Sequence, residues 1–236
     1  MATKYSCLAV IPARGGSKRI PRKNIRSFGG KPMLFYSIQA ALRSELFANV
    51  VVSTDDEEVA CLAEMLGAEV PFLRDKKLAD DFTPVSKVTA DALRQLDPKG
   101  DQYFYVCQLM PNCPLRTADD VKESFSQIVA SNAIAQISVS RFGWQTPWWA
   151  MKMCEGFFLE PLFQKDAWRR SQDLESLFCP TGAVWWAQSA SLIKHENFYM
   201  PGVTGWEIPW QRAMDIDTEE DWKMAEFLLE YSLENF

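Results

Sequence analysis

The chain has 236 residues, a net charge of −6, and 47% hydrophobic against 24% charged residues, enough apolar material for one large core in a water-soluble protein. No uninterrupted apolar run is long enough to span a bilayer and no signal-peptide hydrophobic region precedes Arg14, so a cytoplasmic setting away from membranes is expected. Six dispersed cysteines without a CxxC pair exclude a zinc ribbon, and Cys7, Cys61 and Cys107 are expected as free, buried thiols; the one histidine, His195, excludes His-rich metal sites and argues against a Ser-His-Asp mechanism.

Along the chain, Tyr5–Ile11 reads as a short buried strand bounded by Pro12. The loop that follows contains Gly15 and Gly16 among Arg14, Lys18, Arg19, Arg22, Lys23 and Arg26, with no acid before Glu45. Glycines permit positive φ and close backbone approach, so their N–H groups are expected to face one concavity, with lysine and arginine adding charge-assisted bonds to phosphate. A cation cluster in an acidic chain points to one polyphosphate ligand rather than to a nucleic-acid surface, the alternative being an ordinary solvated basic loop. Neither GxxxxGK[ST] nor GxGxxG is present, so the loop belongs to neither familiar nucleotide motif.

A helix is expected over Met33–Leu46, then a β-branched strand at Val50–Thr54 whose Asp55-Asp56 caps a helix carrying Val59, Leu62 and Leu66. Ala68–Leu73 reads as a third strand, Val85–Leu96 as a helix, and Tyr103–Leu109 as a strand stopped by Pro111 and Pro114. Helix Ala118–Val129 and strand Ile134–Ser140 complete a βαβ series, which implies a mostly parallel sheet covered on both faces. Residues 141–180 break the rhythm with Trp144, Trp148, Trp149 and Trp168, and read either as an inserted arm at a homodimer interface or substrate wall, or as a locally packed subcore. Strands are expected again at Ala183–Ala187 and Ala213–Ile216, and a last helix at Thr218–Leu233.

Open α/β sheets bind ligands beyond the carboxyl ends of their strands, where Arg14–Lys23, Asp55-Asp56, Arg74–Thr83 and Pro111–Arg116 all fall. The segment from Asp215 to Glu234 carries eight acids and one lysine. On an extended strand Asp215 and Asp217 share a face suited to a hard divalent cation; equally, Asp217 or Thr218 caps the final helix, and the two roles are compatible.

Together these residues resemble the cytidylyltransferases that activate sialic acid and related nine-carbon keto acids. The resemblance rests on Ile11–Lys18 with Ile20-Pro21-Arg22-Lys23-Asn24, Gly30-Lys31-Pro32-Met33, Val52–Asp56, Gly67–Arg74, Leu78-Ala79-Asp80-Asp81, Pro114-Leu115-Arg116-Thr117 and Asp215-Ile216-Asp217-Thr218. It covers nearly the whole chain and is weakest across 141–180. It implies one three-layer α/β domain over 1–236, a Rossmann-like nucleotidyltransferase fold with 141–180 as a dimerisation arm, and transfer of CMP from CTP to the anomeric hydroxyl of a nonulosonic acid. By position it puts Arg14, Ser17, Lys18 and Lys23 on the triphosphate, the backbone of Gly15 and Gly16 along it, Arg74, Asp81 and Thr83 at the cytidine end, and Mg²⁺ on Asp215 and Asp217. Arg14, Lys18, Lys23 and Asp217 are the expected catalytic set.

Two departures fall on the sugar side. The family's glutamine before its Pro-Thr-Ser-Pro-Leu-Arg run is Met110 here, with Gln108 as a partial substitute, and its Arg-Pro-Asn-Gly-Ala is Cys179-Pro180-Thr181-Gly182-Ala183. Arg169-Arg170-Ser171-Gln172-Asp173-Leu174 resembles a stretch of the pseudaminic-acid branch, which implies Arg170 as the cation for the sugar carboxylate. Gln108, Met110, Thr181 and Arg170 are the candidate contacts to an acidic keto sugar, and the sugar itself is left open among sialic, legionaminic and pseudaminic acids. The competing readings are a nucleotidyltransferase for an eight-carbon keto acid or a sugar phosphate, and a non-catalytic nucleotide-sugar sensor.

Overall fold

The computed structural model describes residues 5–235. In chain order the elements are β1 (Cys7–Pro12), β2 (Ser27–Phe28), β3 (Lys31–Pro32), α1 (Met33–Ser44), β4 (Asn49–Ser53), α2 (Glu57–Met65), α3 (Val85–Leu96), β5 (Tyr105–Gln108), α4 (Ala118–Ser131) and β6 (Ala135–Arg141). They continue with β7 (Met151–Met153), β8 (Leu159–Pro161), β9 (Phe178–Gln188), α5 (Ser189–His195), β10 (Thr204–Glu207) and α6 (Glu219–Asn235), with short 3₁₀ turns between.

Six strands form the central sheet in the order β10-β6-β9-β5-β1-β4. β1 pairs in parallel with β4 and β5, and β10 with β6, whereas β9 runs antiparallel to both its neighbours. Alternation within β1 divides the core. Cys7, Ala9 and Ile11 face α1, α2 and α4, while Leu8 and Val10 face α3 and α5. The result is three layers, helix on sheet on helix. A third cluster packs Trp222 and Ala225 of α6 against Ile20, Phe28 and Ile216, so the last helix braces the loop after β1.

Helix ends follow local chemistry. Asp56 caps α2 by accepting from Val59 N–H at 3.0 Å, and Thr117 with Asp120 forms a reciprocal capping box on α4. Thr218 and Asp221 do the same for α6, so Thr218 rather than Asp217 takes the capping role.

Several expectations need correction. Ala68–Leu73 is a single bridge, Glu69 to Val51, because Pro71 cannot donate to a ladder. Ala213–Ile216 is irregular and tied back by Ile216 N–H to Asn112 O at 2.8 Å, so the two aspartates do not alternate along a strand. β9 begins at Phe178, inside the segment expected to be irregular. Cys61 is exposed, since α2 turns Val59 and Ala63 inward and Cys61 lies between them on the opposite side. Neither Gly15 nor Gly16 has a positive φ. Among the described residues no helix is long and apolar enough to cross a membrane.

Candidate active site

A cleft of about 570 Å³ opens at the carboxyl ends of β1 and β5. Pro12, Arg14, Ser17, Lys18, Arg19, Lys23 and Asn24 line it from the loop after β1. Arg74, Asp80, Asp81 and Thr83 form the facing wall, Val85 and Val88 of α3 the side, Met110, Pro111 and Asn112 the floor after β5, and Asp217 closes one end. Nine of the side chains expected at the site therefore meet in one place: Arg14, Ser17, Lys18, Lys23, Arg74, Asp81, Thr83, Met110 and Asp217.

The basic cluster splits into two groups. Arg22 pairs with Asp56 and Glu58 around α2, and Arg26 with Glu219 on α6, so both serve as braces. The other four cations face the cleft and are matched by carboxylates. Arg14 Nη1 donates to Asp81 Oδ1 at 2.8 Å and Asp80 O at 2.9 Å, and Lys18 reaches the same Asp81 carboxylate. Lys18 and Arg14, in that order, hold the Asp81 carboxyl below the usual range. Asp80 shapes this turn by accepting from the N–H groups of Phe82 and Thr83. At the other end, Arg19 lies 3.1 Å and Lys23 3.3 Å from Asp217 Oδ1, and Lys23 Nζ also donates to Ile216 O at 2.7 Å.

Gly15 serves close approach rather than an open anion nest. Its N–H donates to Asp55 Oδ1 at 3.1 Å, and a methyl on it would stand 2.5 Å from Asp56 Oδ2. Arg74, only 5% exposed, lies 3.5 Å from that same Asp55 oxygen and donates its N–H to Thr54 O. Burial lowers the Arg74 pKa, and the charge of Arg14 adds to the effect.

Asp215 stands behind Asp217, outside the cleft lining. Burial raises its pKa, and the charge of Asp217 raises it further. The Cys113 thiol donates to Asp215 Oδ1, and the closely approaching Gly182 backbone offsets part of the rise.

Three expected sugar contacts are not brought to the cleft. Gln108 is 1% exposed and its Oε1 accepts from Thr89 of α3 at 2.7 Å, so the substitution proposed for Met110 does not reach the lining. Thr181 is buried against Ser138, the two hydroxyls 2.8 Å apart. Arg170 is exposed on the 141–180 segment, paired with Asp173.

Four residues of the candidate loops and motifs take parts that the sequence did not assign to them individually. Asn24 donates to Arg14 O at 2.9 Å and Asn112 accepts Ile216 N–H on its backbone, both within the lining. Fully buried Arg116 donates from Nη2 to Ser37 Oγ and to the carbonyls of Met110 and Cys113, fixing the floor. Arg19 belonged to the basic cluster, but its spacing did not distinguish it from Arg22.

A cation-lined cleft beyond the parallel strand ends of a three-layer α/β sheet, with Asp81 at one end and Asp217 at the other, is built to take a polyanionic ligand. The family profile described as cytidylyltransferase matches residues 8–144. A pseudaminic acid cytidylyltransferase of Campylobacter jejuni is 34% identical over 97% of this chain and 98% of its own length. A CMP-N,N'-diacetyllegionaminic acid synthase of Legionella pneumophila is 32% identical over 96% and 97%. Among solved structures, a CMP:2-keto-3-deoxy-manno-octonic acid synthetase complexed with CTP superposes with a TM-score of 0.72 at 16% identity, covering 96% of this chain and 99% of its own, a likeness of fold. The chain belongs to the cytidylyltransferase family, in the branch of the CMP-nonulosonic acid enzymes.

Proposed function

We propose that this enzyme transfers CMP from CTP to the anomeric hydroxyl of a nonulosonic acid of the pseudaminic or legionaminic type, releasing pyrophosphate. The observation that carries the reading is the cleft in which Arg14 and Lys18 meet Asp81 at one end and Arg19 and Lys23 meet Asp217 at the other. Family membership makes CTP the donor, and the two relatives covering almost the whole chain indicate the acceptor class.

Nucleotidyl transfer asks the protein for alignment and for positive charge against the α-phosphate and the leaving pyrophosphate. Arg14, Lys18, Arg19 and Lys23 would supply that charge, Ser17 would border the triphosphate, and Arg74 and Thr83 would wall the nucleoside end; Gly15 and Gly16, expected along the triphosphate, lie outside the cleft lining. Asp81 holds Arg14 and Lys18 in position until a nucleotide arrives. Asp215 and Asp217 offer hard carboxylate oxygens that suit a divalent cation, and burial followed by the charge of Asp217 raises the Asp215 pKa, a strain that a cation would relieve. Mg²⁺ is the proposed ion, and when bound it neutralises charge on the phosphates. Two carboxylates leave most of its ligands to substrate oxygens and water.

The acceptor would enter past Met110, Pro111 and Asn112. Arg170 lies outside the lining and pairs with Asp173. The 141–180 arm, whose Trp144, Phe157, Phe158 and Trp168 are exposed, is read as the surface through which two copies pair, and a monomeric mass in sedimentation would remove that reading.

The test is pyrophosphate release with CTP, UTP, ATP and GTP crossed with pseudaminic, legionaminic and N-acetylneuraminic acids and an eight-carbon keto acid. CTP with a nonulosonic acid should turn over. Turnover confined to the eight-carbon acid, or to another nucleotide, refutes the reading.

A further inference from the structure

One carboxylate of the proposed metal pair is held by groups that never reach the cleft surface. Cys113 is fully buried, and its thiol donates to Asp215 Oδ1. Gly182 approaches so closely that a methyl on it would stand 3.1 Å from that oxygen. Cys113 is itself immobilised: its N–H donates to Met110 O at 3.3 Å, and its carbonyl accepts from Arg116 Nη2 at 3.0 Å. One residue beyond Asp215, the Ile216 N–H bond to Asn112 O ties the acidic segment to the same loop. The floor of the cleft and the acidic pair are thus coupled through one side-chain contact, Cys113 to Asp215, and one backbone contact.

We infer that Cys113 is a positioning residue for the Asp215 carboxylate: its S–H fixes the rotation of that carboxylate and so prepares the Asp215–Asp217 pair for a divalent cation. The inference rests on the proposed role of that pair. A buried small side chain with no such role would affect stability alone. A group that orients a metal ligand affects ion affinity, by roughly 10- to 100-fold when removed. Serine keeps a donor at the same place, valine keeps the volume without the donor, and alanine removes both, so the three substitutions separate packing from orientation.

The test is binding of Mn²⁺, as a probe ion, to the full chain in the presence of CTP, read from the free-ion electron paramagnetic resonance signal, with thermal unfolding recorded alongside. Cys113→Ser should bind within about threefold of the wild type, whereas Cys113→Val and Cys113→Ala should bind at least about tenfold more weakly. Asp217→Ala serves as the reference for the pair. If Asp217→Ala loses the ion while Cys113→Val and Cys113→Ala keep wild-type affinity, the inference falls and the metal reading stands. Equal losses in the serine and valine variants also overturn it. If Asp217→Ala binds Mn²⁺ like the wild type, the metal reading fails and the inference with it.

Discussion

Gly15→Ala isolates the close contact that holds the loop after β1 against α2. The backbone of Gly15 lies outside the left-handed region, so alanine meets no φ penalty there. Steric overlap is what matters: the added methyl would lie 2.5 Å from Asp56 Oδ2, 2.7 Å from its Cβ and 2.9 Å from its Cγ. Overpacking of this kind costs about 1–3 kcal/mol. Displacing Asp56 also breaks the α2 cap, a further ~1 kcal/mol. The expected loss is therefore about 2–4 kcal/mol, which at ~2–4 °C per kcal/mol lowers Tm by roughly 4–16 °C. Asp56→Gly removes all three offending atoms, and glycine at an N-cap costs only a few tenths of a kcal/mol relative to a capping side chain. Denaturant unfolding of the two single variants and the double variant then forms a cycle. The double variant should be more stable than additivity allows by about 2–4 kcal/mol, since both the overlap and the displaced cap are removed together. Pyrophosphate release should show a raised KM for CTP in Gly15→Ala that falls back in the double variant. Additivity to within ~0.5 kcal/mol would refute the contact as the reason for glycine here.

Asp81→Asn removes the carboxylate that occupies Arg14 and Lys18. CTP should bind more tightly to this variant by calorimetry, with the gain shrinking at high salt; weaker binding would show that Asp81 contacts the nucleotide itself. Asp97 accepts four backbone N–H bonds, from Gly100 and Asp101 on Oδ1 and from Gln102 and Tyr103 on Oδ2. Burial opposes its charge, but these donors hold the carboxyl below its ordinary range. With the folded-state pKa depressed, its stabilisation is present above the unfolded value near ~3.9 and is lost as pH falls through the folded value. Asp97→Asn sets an amide donor against two of the N–H groups and should cost about 1–3 kcal/mol at pH 7 in denaturant unfolding. The deficit should narrow below about pH 4, and a pH-independent deficit would refute the linkage.

The first half of the fold was legible because its strands are short apolar runs and its helices bury one stripe, a pattern that local sequence carries by itself. Elements set by distant partners were not. Ala68–Leu73 and Ala213–Ile216 have the apolar character of strands, yet each is tied to its neighbour by only one or two backbone bonds. The antiparallel course of β9 depends on insertion between β5 and β6, which no local pattern announces. The same division runs through the site. The cations were visible as a cluster, but their sorting was not, since Asp56 takes Arg22 from 34 residues away and Glu219 takes Arg26 from 193. Gln108 looked available because it shares a strand face with Met110, and only the position of Thr89 on α3 reveals it as a core hydrogen bond.

The pairing of cations with carboxylates also constrains what the cleft accepts. Of the two acids that neutralise it, Asp81 sits on an exposed turn and can move aside. Asp217 cannot move so easily. Its neighbour Ile216 is held through N–H by Asn112 and through its carbonyl by Lys23. A triphosphate that takes over Lys23 and Arg19 leaves Asp217 beside a polyanion, with Asp215 close behind it and already destabilised as an anion by burial. That arrangement is unfavourable for a bare nucleotide and favourable for one that brings a divalent cation. CTP should therefore bind measurably more weakly in a chelator than in Mg²⁺, and Asp217→Ala should reduce the difference. Equal affinity with and without the ion in the wild type would refute the argument, because Asp217 would then tolerate the polyanion unaided.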